Sequence, residues 1–130
     1  MRSFLISGVV LILAFLINTG VSRAQEKMLD ITGEWNITIK FVYGTGRHTA
    51  IIQQKADSLS GIYKGEFEEG TLRGIIQGEE IDFTGYIKHE ASKLHFHYTG
   101  TVYDDHMEGA VDMGEYWSGT WTARRVKHNR

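Results

Sequence analysis

Two histidines and three tyrosines are the residues of this chain best equipped for chemistry near neutral pH. His48 and His89 carry imidazoles, which titrate there and serve as general acid or base. Tyr43, Tyr63 and Tyr98 supply hydroxyls able to polarise a carbonyl or hold an enolate. Together they support isomerisation, hydration or cyclisation of a small molecule by a His–Tyr acid/base pair. Other reaction classes lack their residues. The chain has no cysteine nucleophile and no Gly-x-Ser-x-Gly elbow, and its alternation places no carboxylate on the inward side for paired-carboxylate hydrolysis. An inward histidine is more often a hydrogen-bonded rim residue than a catalyst, so binding without turnover stands beside the enzyme reading.

Metal chemistry has one tempting pattern, His95-Phe96-His97. Residues two apart share a strand face, but this face is opposite to Leu94, Phe96 and Tyr98 and points to solvent. Antiparallel pairing sets His97 beside Asp112 and His95 beside Lys88, and a lysine neighbour argues against the three or four convergent ligands zinc needs. The expectation is cross-strand polar pairing and no metal. Asp104-Asp105-His106 reads as a solvated turn. No cofactor motif accompanies the histidines, or Trp117 and Trp121, so no cofactor is expected.

These residues are positioned by strands. In Thr32 to Tyr43, Trp35, Ile37, Ile39, Phe41 and Tyr43 alternate with Glu34, Asn36, Thr38, Lys40 and Val42, the period of a strand with one apolar face. Gly44-Thr45-Gly46 makes a turn, and Arg47 to Lys55 follows with His48, Ala50, Ile52 and Gln54 inward. Leu59, Gly61, Tyr63, Gly65 and Phe67 line a third strand; Leu72, Gly74 and Ile76 a short fourth. Gly78-Glu79 is a two-residue hairpin connection. The inward sets continue with Ile81, Phe83, Gly85, Ile87 and His89; with Leu94, Phe96, Tyr98, Gly100 and Val102; with Met107, Gly109, Val111 and Met113; and with Trp117, Gly119, Trp121 and Ala123.

Eight strands with tight turns and no helical period describe an all-β meander that closes into an antiparallel up-and-down barrel, which removes exposed edges. The absence of proline suits uninterrupted ladders. Six strands carry an inward glycine near the middle, which lets small-barrel walls bend and approach. Counting from Trp35 at the floor, the open end is ringed by Tyr43, His48, His89, Met113 and Trp117 above Tyr63, Phe96 and Tyr98. Such an aromatic cup is the usual make-up of a small-molecule site. Burying on the order of 200 Å² of apolar ligand at ~25 cal/mol per Å² is worth about 5 kcal/mol before binding costs. The expectation is a micromolar-to-millimolar binder. Whether the barrel below is hollow or filled stays open at this point.

Composition and the N-terminus set the context. Arg2, the apolar run Phe4 to Ile17 and Ser22-Arg23-Ala24 have the order of an export signal, with cleavage after Ala24. The run is short of the roughly 20 residues that span a bilayer. Residues 1–24 are thus expected to leave, and residues 25–130 to form one domain, periplasmic or secreted, with no membrane attachment. Mild negative charge and no basic stripe point away from nucleic acid. The oligomeric state is not specified by these features.

Gly33-x-Trp35 on the first strand and Arg124 at the end of the last look like the closed-end signature of the calycin superfamily. In lipocalins a tryptophan plugs the floor and an arginine lies across it. Thr32-Gly33-x-Trp35-Asn36 also resembles the opening of avidins, but avidin's later ligand-binding positions have no match, so biotin is not implied. The closest resemblance is to bacterial lipocalin-like barrels found as small secreted proteins and as add-on domains of exported amidohydrolases. It is carried by Leu59-Ser60-Gly61, Ile81-x-Phe83, Tyr98-Thr99-Gly100-Thr101-Val102, Met107-x-Gly109 and Ser118-Gly119-Thr120-Trp121-Thr122-Ala123-x-Arg125, where Arg125 is the matching arginine. The resemblance implies a lipocalin-like barrel binding a small apolar or aromatic molecule, or a non-catalytic interaction module.

Overall fold

The computed structural model describes residues 29–89, 92–114 and 117–128, without the side chain of His89. The proposed signal at residues 1–24 lies outside the described residues. Eight strands follow one another: β1 (Gly33–Phe41), β2 (Gly44–Lys55), β3 (Ser58–Lys64), β4 (Glu69–Gln77), β5 (Glu80–His89), β6 (Ser92–Tyr103), β7 (His106–Asp112) and β8 (Ser118–Arg125). Each pairs antiparallel with the next, and β8 returns to β1, closing the barrel. Closure gives every strand two partners, so no strand is left as an edge.

Alternation puts Trp35, Ile37, Ile39, Tyr63, Leu72, Phe83, Tyr98, Val102, Met107 and Trp121 inside, each almost fully buried. No polar or charged residue belongs to the buried set among the described residues. Below its rim the barrel is filled by its own rings. Phe83 stacks on Tyr98 with centroids 4.6 Å apart, and Trp121 packs edge-on against both at 5.7 and 5.2 Å. The space the inward glycines release is taken up by these rings and by neighbouring backbone. At Gly85 a Cβ would stand 2.6 Å from the Tyr63 ring. At Gly61, with φ +152°, it would stand 1.9 Å from the Ile51 carbonyl oxygen. A side chain there is blocked by both conformation and close approach.

Three strand ends depart from the expected pattern. The first hairpin is tighter: Phe41 pairs with Gly44, and Val42 and Tyr43 form the turn. Gly44 to Gly46 therefore extend the ladder, where their backbone groups find partners. β3 stops at Lys64, because Gly65 N–H donates to the Glu68 carbonyl at 2.8 Å and pairing resumes with Lys64 opposite Glu69. Phe67 is thereby thrown out of the inward set and is 90% exposed. Trp117 precedes β8 and stands half-exposed at the rim.

The closed end is clamped by Arg125, not Arg124. Its guanidinium carbon lies 4.6 Å from the centroid of the buried Trp35 ring. Arg125 also donates to the carbonyls of Thr32 (2.7 Å) and Asp30 (3.0 Å) and to Asp105 Oδ1 (3.0 Å). Arg124 has the opposite parity and is exposed. The indole Nε1–H of Trp35 donates to the Ile31 carbonyl, and Gln54 binds both Ile31 N–H and the Leu29 carbonyl, all at 2.9 Å. The segment before β1 is thus tied across the floor.

Candidate functional site

The open end holds a pocket of about 360 Å³. Phe41, Tyr43, Phe96, Met113 and Trp117 wall it, His48 and Glu66 add polar groups, and Gly44, Thr45 and Gly46 supply backbone. Strand order explains the assembly. Even-to-odd connections return at the floor, so the β1–β2, β3–β4 and β7–β8 connections meet at the mouth. Trp117 is the shared wall: Tyr43 meets it edge-to-face at 5.9 Å and 84°, and Phe41 at 6.1 Å and 61°.

His48 sits half-buried at the base of this cup. Its ring packs edge-on against Phe96 at 4.9 Å and against Tyr63 at 5.3 Å. Its Nδ1 is hydrogen-bonded to the Tyr63 hydroxyl, which is hydrogen-bonded in turn to the Tyr98 hydroxyl. Among the described residues the Tyr98 hydroxyl has this one partner. If the chain ran outward-in, with His48 donating, the buried O–H of Tyr98 would have no acceptor, at a cost of about 1–3 kcal/mol. The favoured sense is therefore Tyr98 to Tyr63 to His48 Nδ1. That fixes the Nε2–H tautomer and leaves one N–H as the nitrogen available to a ligand.

Protonation states agree with this arrangement. Burial lowers the His48 pKa below its ordinary value, a shift partly opposed by the charges of Glu66 and Glu68. The imidazole is therefore neutral at neutral pH. Burial pushes Tyr63 and Tyr98 far above the ordinary phenol range, so neither supplies a phenolate. The site donates hydrogen bonds better than it abstracts protons. To act as a base at Nε2, His48 must reverse the chain and leave Tyr98 unpaired.

The eight expected ligand-contacting residues divide accordingly. His48, Phe96, Met113 and Trp117 line the cup. Tyr43 does too, but from a turn: it is 85% exposed and presents its ring to Trp117 instead of pointing inward from β1. Tyr63 and Tyr98 lie at mid-depth, fully buried beneath His48 and Phe96, and act as support for the histidine. His89 ends β5 opposite Ser92, and its side chain lies outside the described residues. Phe41 and Glu66 were not expected in the cup. Phe41 has the correct parity for it, whereas Glu66 arrives through the β3–β4 turn, which no alternation reveals.

The outer-wall histidines stay outside this site. His97 pairs with Asp82 at 2.9 Å and lies opposite Asp112, while His95 lies opposite Tyr86, with rings 4.7 Å apart, and not beside Lys88. The register pairs Lys88 with Lys93, two residues nearer the mouth. Asp105 of the β7-side turn bonds Arg125 instead of facing only solvent. Comparison with protein-family models, curated proteins and solved structures gives no match.

Proposed function

We propose that this protein is an exported, lipocalin-like barrel that binds a small molecule with an apolar or aromatic body in the cup at its open end. The observation that carries this reading is the pocket itself. About 360 Å³ is walled by Phe41, Tyr43, Phe96, Met113 and Trp117 and floored by a histidine whose protonation and tautomer are held by two buried tyrosines. The volume is at the small end of ligand sites, and the pocket is open, so a bound molecule keeps part of its surface in water. Micromolar to millimolar affinity fits that partial burial. The Arg125 guanidinium over Trp35 supports the lipocalin-like assignment. Export rests on the apolar N-terminal run, and N-terminal sequencing of secreted or periplasmic protein tests it; Gln25 is the expected first residue and Met1 the contradicting one.

Native mass spectrometry of the purified protein, with a screen of small apolar compounds by Trp117 fluorescence, tests the binding reading. A compound that binds wild type and loses affinity on Trp117→Ala supports it; no binder in either measurement contradicts it.

The His48–Tyr63 hydrogen bond favours a second reading, an isomerase, hydratase or cyclase in which the neutral His48 Nε2–H stabilises a developing oxyanion on the substrate. Turnover of a bound compound, abolished by His48→Asn with binding retained, would establish it.

A further inference from the structure

The cup has two features that a purely apolar site does not need. Its aromatic walls meet at corners: Phe41 and Tyr43 stand at 61° and 84° to Trp117. A flat aromatic ligand is best held in a parallel slot, whereas a corner of ring faces suits a rounded group. The second feature is Glu66. It lines the cup, no lysine or arginine does, and Glu66 makes no ion pair among the described residues. An anionic group beside electron-rich ring faces attracts cations and repels anions.

We propose that the ligand class of the cup is a small organic cation, an alkyl- or methyl-substituted ammonium, with its charged group between Tyr43, Trp117 and Phe41 and facing Glu66. The inference rests on the cup being a small-molecule site and names what occupies it. The chemistry is consistent from every wall. The rings offer their negative faces to the ammonium's methyl groups, Glu66 supplies the counter-charge, and His48 stays neutral at the base. The Nε2–H of His48 then meets the far end of the ligand, where a hydroxyl or carbonyl oxygen accepts it. A carboxylate or phosphate ligand would meet the Glu66 carboxylate unfavourably.

The test compares choline with its uncharged carbon isostere, 3,3-dimethylbutan-1-ol, by calorimetry and Trp117 fluorescence on the full chain after signal removal. The two share shape and hydroxyl and differ in charge. Choline should bind roughly two- to fivefold more tightly, in line with a cation over exposed aromatic faces. That preference should shrink between 0.05 and about 1 M salt, since screening weakens charge attraction, while binding of the alcohol should hold or strengthen. Glu66→Gln should bring the two affinities together, and Trp117→Ala should weaken choline most. Equal or tighter binding of the alcohol overturns the cation assignment and leaves the apolar-cup reading standing. Failure of both compounds, with wild type shown folded by its near-ultraviolet circular dichroism, overturns both. A preference for choline that survives Glu66→Gln and Trp117→Ala unchanged also overturns the assignment, because the cation then binds elsewhere.

Discussion

Replacing Gly85 with alanine should uncouple the core from the site in a way that can be measured. A Cβ at position 85 would lie 2.6 Å from Cγ and Cδ1 of Tyr63 and 2.7 Å from its Cδ2. Carbon atoms in contact prefer about 3.5–4.0 Å, so the ring must retreat by roughly 1 Å. It has nowhere to go, because Phe96, Tyr98 and His48 pack around it with centroids 5.7, 6.0 and 5.3 Å away. The backbone at Gly85 is not left-handed, so the cost comes from the ring alone. Overpacking of this kind costs about 1–3 kcal/mol. Misaligning two hydrogen bonds adds about 1 kcal/mol each, and the lower entropy of the unfolded alanine chain returns less than about 1. The sum is a destabilisation of about 2–4 kcal/mol, or a lowering of Tm by roughly 10–20 °C in a domain of this size. In a Tyr63→Ala background the same substitution should cost less than about 1 kcal/mol. Urea unfolding of the four proteins, followed through Trp35 and Trp121, gives the coupling directly. A coupling below about 0.5 kcal/mol would refute the claim that Gly85 exists to seat the Tyr63 ring.

Three further outcomes are expected. Arg125→Ala should destabilise the fold by about 2 kcal/mol, through two lost carbonyl hydrogen bonds and the uncovered Trp35 face, whereas Asp105→Asn should cost under about 1 kcal/mol because that ion pair is substantially exposed; equal costs in urea unfolding would show that the ion pair, not the floor clamp, matters. Burial gives His48 a lower pKa folded than unfolded, so the unfolded chain binds more protons on acidification and stability falls below about pH 6.5, levelling off under the folded pKa. The stability advantage of wild type over His48→Asn should therefore shrink between pH 7 and 5, and a constant advantage would contradict the burial argument. Trp117→Ala should leave Tm within about 2 °C of wild type, since the ring is 46% exposed, and a larger loss would make it a core residue.

The alternation of apolar and polar residues was enough to read the closed all-β barrel, because a strand of period two that buries one face leaves little freedom of register. The interior positions of Tyr63, Phe96, Tyr98 and Trp121 follow from the same parity. So, in retrospect, does the floor arginine: Arg125 shares parity with Trp121 and Ala123, and Arg124 does not. Parity fails where strands end. Tyr43 and Phe67 continue an apolar pattern by sequence but lie in turns, since a tight hairpin pairs more backbone than a longer strand would. Glu66 enters the cup by the same route, and its contribution depends on loop geometry that short-range periodicity does not encode. The hydrogen-bonded chain from His48 to Tyr98 joins residues 50 positions apart across the barrel, and depth counting could place its members at neighbouring levels without showing that they touch.

The proposed ligand sits in the cup above His48 and not within the filled barrel. Titrating a binder from the fluorescence screen into isotope-labelled protein, and following aromatic and methyl resonances, distinguishes the two places. Shifts should concentrate on Phe41, Tyr43, His48, Phe96, Met113 and Trp117, while Phe83 and Trp121 stay in place. Shifts centred on Phe83, Tyr98 and Trp121, or spread over the outer wall around His97, would contradict it.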